Sequence, residues 1–405
     1  MRICTGAGRS FPAEGAPGDQ PPPSKSHRAA GLIVAALVLL AAFVFAAPYL
    51  SSVLKQSYSF LSGSSTTGPS TITFTPSNAT STASTASTTI NNQCSSVVSV
   101  KNLEAPDIRN GSADIAYPSD YCALASYALG LINQDRAANG TGSVALDYNQ
   151  AAQQHADSMI YYGYFSHFDT QGYKPYMRYS LLGGRGADFE NVAYYYFSIP
   201  HFLSTGSVET AIKELEYSMI YNDSSCCANG HRYNILDPLH NQVSVGVAYN
   251  STAVFFDEEF ENNYINLNFT VAQASTSDPY YVTLRGVPTG SFSSPTSLYI
   301  AFDNSPAAAT PGQLNSAPHE YGPGSLVGGV LPRIGLFGDC GQFSYGTTVC
   351  ADTWEVTPKT VDIAFPLGPF IREDGPGVYT LYLITGSTTD SAITSVCVFV
   401  PSGVG

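Results

Sequence analysis

At 405 residues the chain exceeds one ordinary domain of roughly 100 to 200 residues, so two folded parts and some tail sequence are expected. Only 12% of its residues are charged and the net charge is −14, which excludes a nucleic-acid-binding face, because phosphates require a basic surface. Low charge density, few lysines and abundant Tyr, Ser and Thr would suit a surface protein of an acidic habitat.

In chain order, residues 1–28 are rich in Pro, Gly and Ser and read as a disordered cytoplasmic tail. Residues 29–50, AAGLIVAALVLLAAFVFAAPYL, carry no charge, and about 20 apolar residues suffice to cross a hydrocarbon core, so one transmembrane helix is expected. A signal peptide cleaved near Ala46-Ala47 is the alternative; the run is long for one and a polar stretch precedes it. Arg2, Arg9, Lys25 and Arg28 lie before the span and Lys55 after it, which places the N-terminus in the cytoplasm. The reading is a single-pass cell-membrane protein with extracellular C-terminal domains. Residues 51–100, with repeats such as STASTASTT, bury too little apolar area to fold and read as a Ser/Thr-rich stalk.

Cys94, Cys122, Cys226, Cys227, Cys340, Cys350 and Cys397 all follow the span, in a compartment where disulfides persist. Cys340 and Cys350 are close enough to bridge a loop, and either Cys94 or Cys122 is a candidate partner for the Cys226-Cys227 pair. Sequons at Asn78, Asn110, Asn139, Asn222, Asn250 and Asn268 fit a glycosylated exported surface.

Helical periodicity begins at Ser119-Asp120, a good N-cap pair, with Leu124, Ala128, Leu131 and Asp135 on one side and Gly140 past the end. A second helix runs from near Asp147 through Ala152, Ala156, Met159 and Tyr162 until Gly163 stops it, and a third from Ser207 through Val208, Ile212, Leu215 and Met219. Val243, Val245 and Val247 alternate, as do Val254, Phe256 and, less cleanly, Glu258 and Phe260, predicting a hairpin through Tyr249-Asn250-Ser251. Helices followed by a hairpin predict an α+β domain over 115–265. From Asp278 the pattern turns to short strands separated by Pro/Gly-rich breaks, predicting an all-β, immunoglobulin-like sandwich over 275–402 that holds no recognisable chemistry.

Three polar groups sit at the edges of apolar elements: Gly163-Tyr164-Phe165-Ser166-His167, Phe189-Glu190-Asn191, and the run from Gly230 to Leu236. A fold that joined them would put two imidazoles and a carboxylate in one cleft. Neutral imidazoles ligate zinc and similar ions, and a carboxylate orients an imidazole or activates a bound water. The plainer reading is that His167 and His231 cap chain ends and Glu190 accepts backbone N–H groups, so that the cluster shapes the fold. His155 lies beside the Ala152-Ala156-Met159 stripe and reads as a packed residue; Arg232 and Asn234 read as ties to neighbouring backbone. Nucleophile-elbow, phosphate-loop and HExxH patterns are absent from the sequence.

The ordered series LINQDR at 131–136, AAQQHADSMIYYGYFSH at 151–167, FEN at 189–191, GHRYNIL at 230–236 and the following VSVGVAY resembles the CAP superfamily, or SCP domain, in its microbial form. That resemblance implies an α-β-α sandwich with a shallow cleft lined by two histidines and up to two glutamates. His167, Glu190 and His231 fall on three of those positions. Met219 aligns with the fourth, leaving Glu216 as a weak candidate. The expectation is a membrane-tethered extracellular CAP/SCP-domain protein that acts as a ligand-binding or cell-envelope interaction module, with a lipid, glycan or surface protein as ligand. The alternative is a metal-dependent hydrolase of extracellular protein or envelope polymer, with zinc or calcium on His167 and His231 and Glu190 orienting or acting as base. A purely adhesive protein, binding through the β-sandwich, is the third reading.

Overall fold

The computed structural model describes residues 3–7, 120–200, 203–272, 280–316, 320–334 and 338–402. The expected transmembrane helix at 29–50, the stalk at 51–100 and most of the 1–28 tail lie outside them. Among the described residues no helix is long and apolar enough to cross a membrane.

Residues Ile3–Ala7 form strand β1, an edge strand antiparallel to a later strand, which corrects the expectation of disorder for these five residues. An open sheet edge presents unpaired N–H and C=O groups, and β1 satisfies them there. Helix α1 (Tyr121–Ala138) buries Leu124, Ala125, Ala128 and Ile132. Asp120 stands at its N-cap position without a side-chain cap bond; its carboxylate accepts instead from Thr205 and Tyr249. The short strand β2 (Ala145–Leu146) leads into α2 (Ala151–Tyr162), which ends as expected at Gly163, left-handed at φ 71°. A helix without a periodic signature, α3 (Pro175–Leu181), precedes β3 (Ala187–Tyr196). Helix α4 (Thr205–Tyr221) starts before the predicted Ser207, because Ser204 is the residue whose hydroxyl caps it by accepting from the Ser207 N–H. Two short helices, α5 (Ser224–Cys227) and α6 (Gly230–Ile235), lead to the predicted hairpin of β4 (Gln242–Tyr249) and β5 (Ala253–Asn262).

The strand order is β1-β3-β5-β4-β2, antiparallel throughout except where β2 meets β4. Val243, Val245, Val247, Phe256 and Phe260 point to the face covered by α1 and α4, where they pack on Leu124, Ile132, Ile212 and Leu215. Helix α2 covers the other face. It comes so close that a Cβ on Gly246 would lie 2.2 Å from the Ala152 carbonyl oxygen, so only glycine fits there. The layers are α-β-α.

The second part is rich in β-structure, with a five-stranded and a four-stranded sheet. It begins with β6 (Ile265–Ala272), so the expected boundary between 265 and 275 falls inside a strand. Then come β7 (Tyr281–Pro288), β8 (Ser297–Asp303), the short helix α7 (Pro311–Leu314), β9 (Ser325–Leu331), β10 (Thr347–Cys350), β11 (Thr353–Val356) and β12 (Val361–Pro366). Helix α8 (Gly368–Asp374), β13 (Gly377–Ile384) and β14 (Ala392–Val400) complete it. The parallel pairing of β9 with β10 departs from a wholly antiparallel immunoglobulin-like sandwich. Val282, Leu284, Ile300, Val330, Ile363 and Leu381 fill its core. The Cys340–Cys350 disulfide forms as expected.

The two parts share a polar seam. Asp303 accepts from Lys174 Nζ at 2.7 Å and Tyr176 Oη at 2.6 Å, Asn315 accepts from the Phe165 N–H and donates to the Gly163 carbonyl, and the Ala309 N–H donates to Thr170.

Candidate functional site

Gly163 turns the chain off α2 and buries Tyr164 and Phe165, which brings His167 beneath the sheet edge, 1% exposed. Its Nδ1 lies 2.7 Å from Oε1 of Glu190 on β3. The other Glu190 oxygen accepts from Arg178 Nη2, and Arg178 Nη1 donates to the carbonyls of His167 at 2.8 Å and Tyr173 at 3.0 Å. Tyr321, from the second part, roofs the group: its hydroxyl accepts from the Glu190 N–H at 2.8 Å and its ring centroid is 4.7 Å from that of His167.

Burial alone would raise the Glu190 carboxyl. The Arg178 guanidinium, with His155 and His167, outweighs it and brings the group down to about 2. Burial lowers His167, opposed by its bond to Glu190. Both oxygens of Glu190 are thus engaged, and a carboxylate this acidic is a poor base.

His231 is the second residue of α6, reached through left-handed Ala228 and Asn229, and is fully buried. Its Nδ1 is 2.5 Å from Oδ1 of Asp223, whose other oxygen accepts from the Arg232 N–H. A positive charge on His231 disfavours one on His167, so the two imidazoles sense each other. They have the same design. A buried carboxylate fixes each Nδ1 as the protonated nitrogen, while each Nε2 is buried without a hydrogen-bond partner in the protein.

The structure therefore joins His167 directly to Glu190, and supplies His231 with a different carboxylate. Glu216 stands apart: it faces Glu258, which projects from the opposite face of β5 to Glu259, the residue in register with Glu190. Two carboxylates face to face have no hydrogen between them. Burial and Glu258 raise Glu216 well above its ordinary value, and burial raises Glu258 to about 7, held back by Glu216 and Asn191, so the pair is favoured with a shared proton. Neither oxygen of Glu216 has a hydrogen-bond partner, so no bond ties it to the histidines.

Asp223 and Arg178 are functional neighbours without a motif. The only sequence signal was the distance of Asp223 from His231, eight residues across NDSSCCANGH. His155 is packed as expected; its Nε2 lies 2.8 Å from the Ser166 carbonyl, and burial lowers it to about 3. Arg232 and Asn234 tie backbone, to Ile220 and Phe189.

The donor chemistry selects among metals. Two neutral imidazole nitrogens suit zinc, whereas calcium takes six to eight oxygens, so the pair fits zinc and not calcium. Among the described residues three groups of side chains lie close enough to share an ion: Asp223, Cys227 and His231; Asp339, Cys340 and Cys350; and His155, Glu190 and Asp257. In the first, His231 would have to give up its Asp223 bond; in the second the cysteines are oxidised to a disulfide; in the third the His155 nitrogen and both Glu190 oxygens are engaged.

Residues 129–269 match the model of the CAP family, described as the cysteine-rich secretory protein family. No curated protein matches the chain. Similar solved structures include two with an SCP or CAP domain. One, an extracellular protein containing an SCP domain from Bacillus anthracis str. Ames, is 20% identical with a TM-score of 0.26, covering 34% of this chain and 40% of that one, so this chain spans less than half of it. The other, the CAP domain of Enterococcal PrgA, is 12% identical with a TM-score of 0.25, covering 45% of this chain and 80% of that one. Over residues 129–269 the chain is thus similar to a CAP domain.

Proposed function

We propose that the protein is an extracellular binding module whose CAP domain takes zinc on His167 Nε2 and His231 Nε2. The observation that carries this reading is the matched pair of imidazoles, each with Nδ1 held by a buried carboxylate and Nε2 buried without a partner. Zinc bound there would supply a Lewis acid with open positions for a donor atom of a lipid, glycan or surface-protein ligand. Glu190 and Asp223 orient the imidazoles, and Tyr321 keeps water from the His167 side. A binding role is favoured over hydrolysis because Glu190, the expected base, is occupied on both oxygens. In support of an exported surface, Asn139, Asn222, Asn250 and Asn268, the described sequon residues, are all exposed.

The test is calorimetric titration of the full chain in non-ionic detergent with zinc chloride and with calcium chloride, beside His167→Ala/His231→Ala. Saturable zinc binding that the double variant loses, with no calcium binding, is expected. A folded protein that ignores zinc would remove the metal reading.

A further inference from the structure

The face of the CAP sheet under α2 and α3 is lined with acids. On β5, Asp257, Glu259 and Glu261 alternate towards it, and the β3 register sets Asp188 opposite Glu261 and Glu190 opposite Glu259. Residues in register on neighbouring strands have Cβ atoms about 5 Å apart, a spacing at which like charges repel. All five side chains are buried, at 5% exposure for Asp188 and 0% for the rest. Opposite Asp257, Glu259 and Glu261 on the β4 side stand Gly246, Ser244 and Gln242, which bring no cation.

The other elements against this face bring little more. Helix α2 contributes Asp157, which accepts from Gln153, and His155, kept neutral by burial. Helix α3 contributes Tyr179, whose hydroxyl donates to Glu261 at 2.6 Å, and Arg178. Arg178 is committed to Glu190 and lies 3.9 Å from Glu259. The loops add Asp147 beside Glu261, Asp169 beside Arg178, and His167 with Tyr321 beside Glu190. From β13 and β14, Tyr382 and Cys397 face Asp188. One guanidinium thus serves five carboxyls, and both oxygens of Asp188, of Asp257 and of Glu259 are buried without a hydrogen-bond partner. As carboxylates these groups have neither donors nor counter-charge. As carboxylic acids each brings its own donor and loses its charge, which satisfies both requirements at once.

We propose that the CAP sheet is folded around neutral carboxylic acids at Asp188, Asp257, Glu259 and Glu261, and that the protein therefore works in an acidic compartment. Burial first, and neighbouring carboxylates next, raise Asp188, Asp257 and Glu259 well above the ordinary range; burial and Asp147 do the same to Glu261, and burial raises Asp157 to about 7. An acid raised by folding contributes stability that is complete below its unfolded value, about 4, and is lost as pH climbs through its folded value.

The experiment is thermal unfolding of the full chain in non-ionic detergent from about pH 3 to about pH 8, with hydrogen exchange of residues 253–262 locating the change in the CAP sheet. The midpoint should be highest near pH 3.5 and lower by roughly 10 °C or more near pH 7.5. Asp188→Asn/Glu259→Gln, neutral at every pH, should raise the midpoint near pH 7.5 and leave it nearly unchanged near pH 3.5. A wild-type midpoint as high at neutral as at acid pH overturns the proposal whether or not the variant folds. So does full recovery at neutral pH on adding millimolar calcium, which would make the cluster a cation site, and so does an amide variant that folds but is weaker at neutral pH.

Discussion

Replacing Arg178 with methionine keeps much of the side-chain volume and removes the one guanidinium among the buried acids. The magnitude follows from Glu190. In the native protein its carboxyl sits at about 2 against an ordinary value of 4.5, which corresponds to about 3 kcal/mol of stability at neutral pH. Removing one partner of a buried ion pair costs about 3 to 5 kcal/mol by general experience, in agreement with that figure. The His167 and Tyr173 carbonyls also lose their donor. A depressed carboxyl contributes above its unfolded value and ceases to contribute as pH falls through its folded value, so the deficit should shrink from pH 7 towards pH 2. Urea unfolding of Arg178→Met and wild type, near pH 7 and near pH 3, measures both numbers. A loss below about 1 kcal/mol near pH 7, or one of equal size at both pH values, would refute the account of Glu190 as a charged group held by Arg178.

Three further outcomes follow from single contacts. Asp223→Asn weakens the hold on His231 Nδ1 and should reduce zinc affinity by about ten- to a hundredfold in the calorimeter while the melting midpoint stays within a few degrees. Gly246→Ala drives a Cβ into the Ala152 carbonyl of α2 and should cost about 1 to 3 kcal/mol or more in urea unfolding; an unchanged midpoint would mean that α2 does not pack as described. Cys340→Ser/Cys350→Ser opens a short loop and should cost about 2 to 3 kcal/mol, read by the same assay with and without reductant.

What was legible in the sequence was what periodicity and turn chemistry encode. Apolar residues at helical spacing located α1, α2 and α4, Gly163 marked the end of α2, and valine alternation marked β4. The histidines stood out because each sits beside the start or end of a helix, whereas Glu190, read as an edge residue, lies inside β3. Arg178 was hidden: it lies on a seven-residue helix too short to show a period, and its importance comes from a strand that follows it by twelve residues. Asp223 was hidden in a Ser/Cys turn. On β5 the alternation was blurred by DEEFE, since a strand buried on both faces carries no polar face, and here acids occupy positions that apolar residues fill elsewhere. The boundary at β6 was missed because only Asn263 and Tyr264 separate β5 from β6, too short a connection to announce a change of sheet.

The seam between the two parts alters what counts as a separable piece. Asn315 clasps the turn that delivers His167, Asp303 holds Lys174 and Tyr176, and Tyr321 lies against the imidazole itself. A protease cut within residues 273–279 should therefore release nothing: the halves would migrate together as a nicked complex until denaturant parts them. Grafting this CAP domain onto another carrier would strip the roof from His167 unless the stretch from Asp303 to Tyr321 travelled with it.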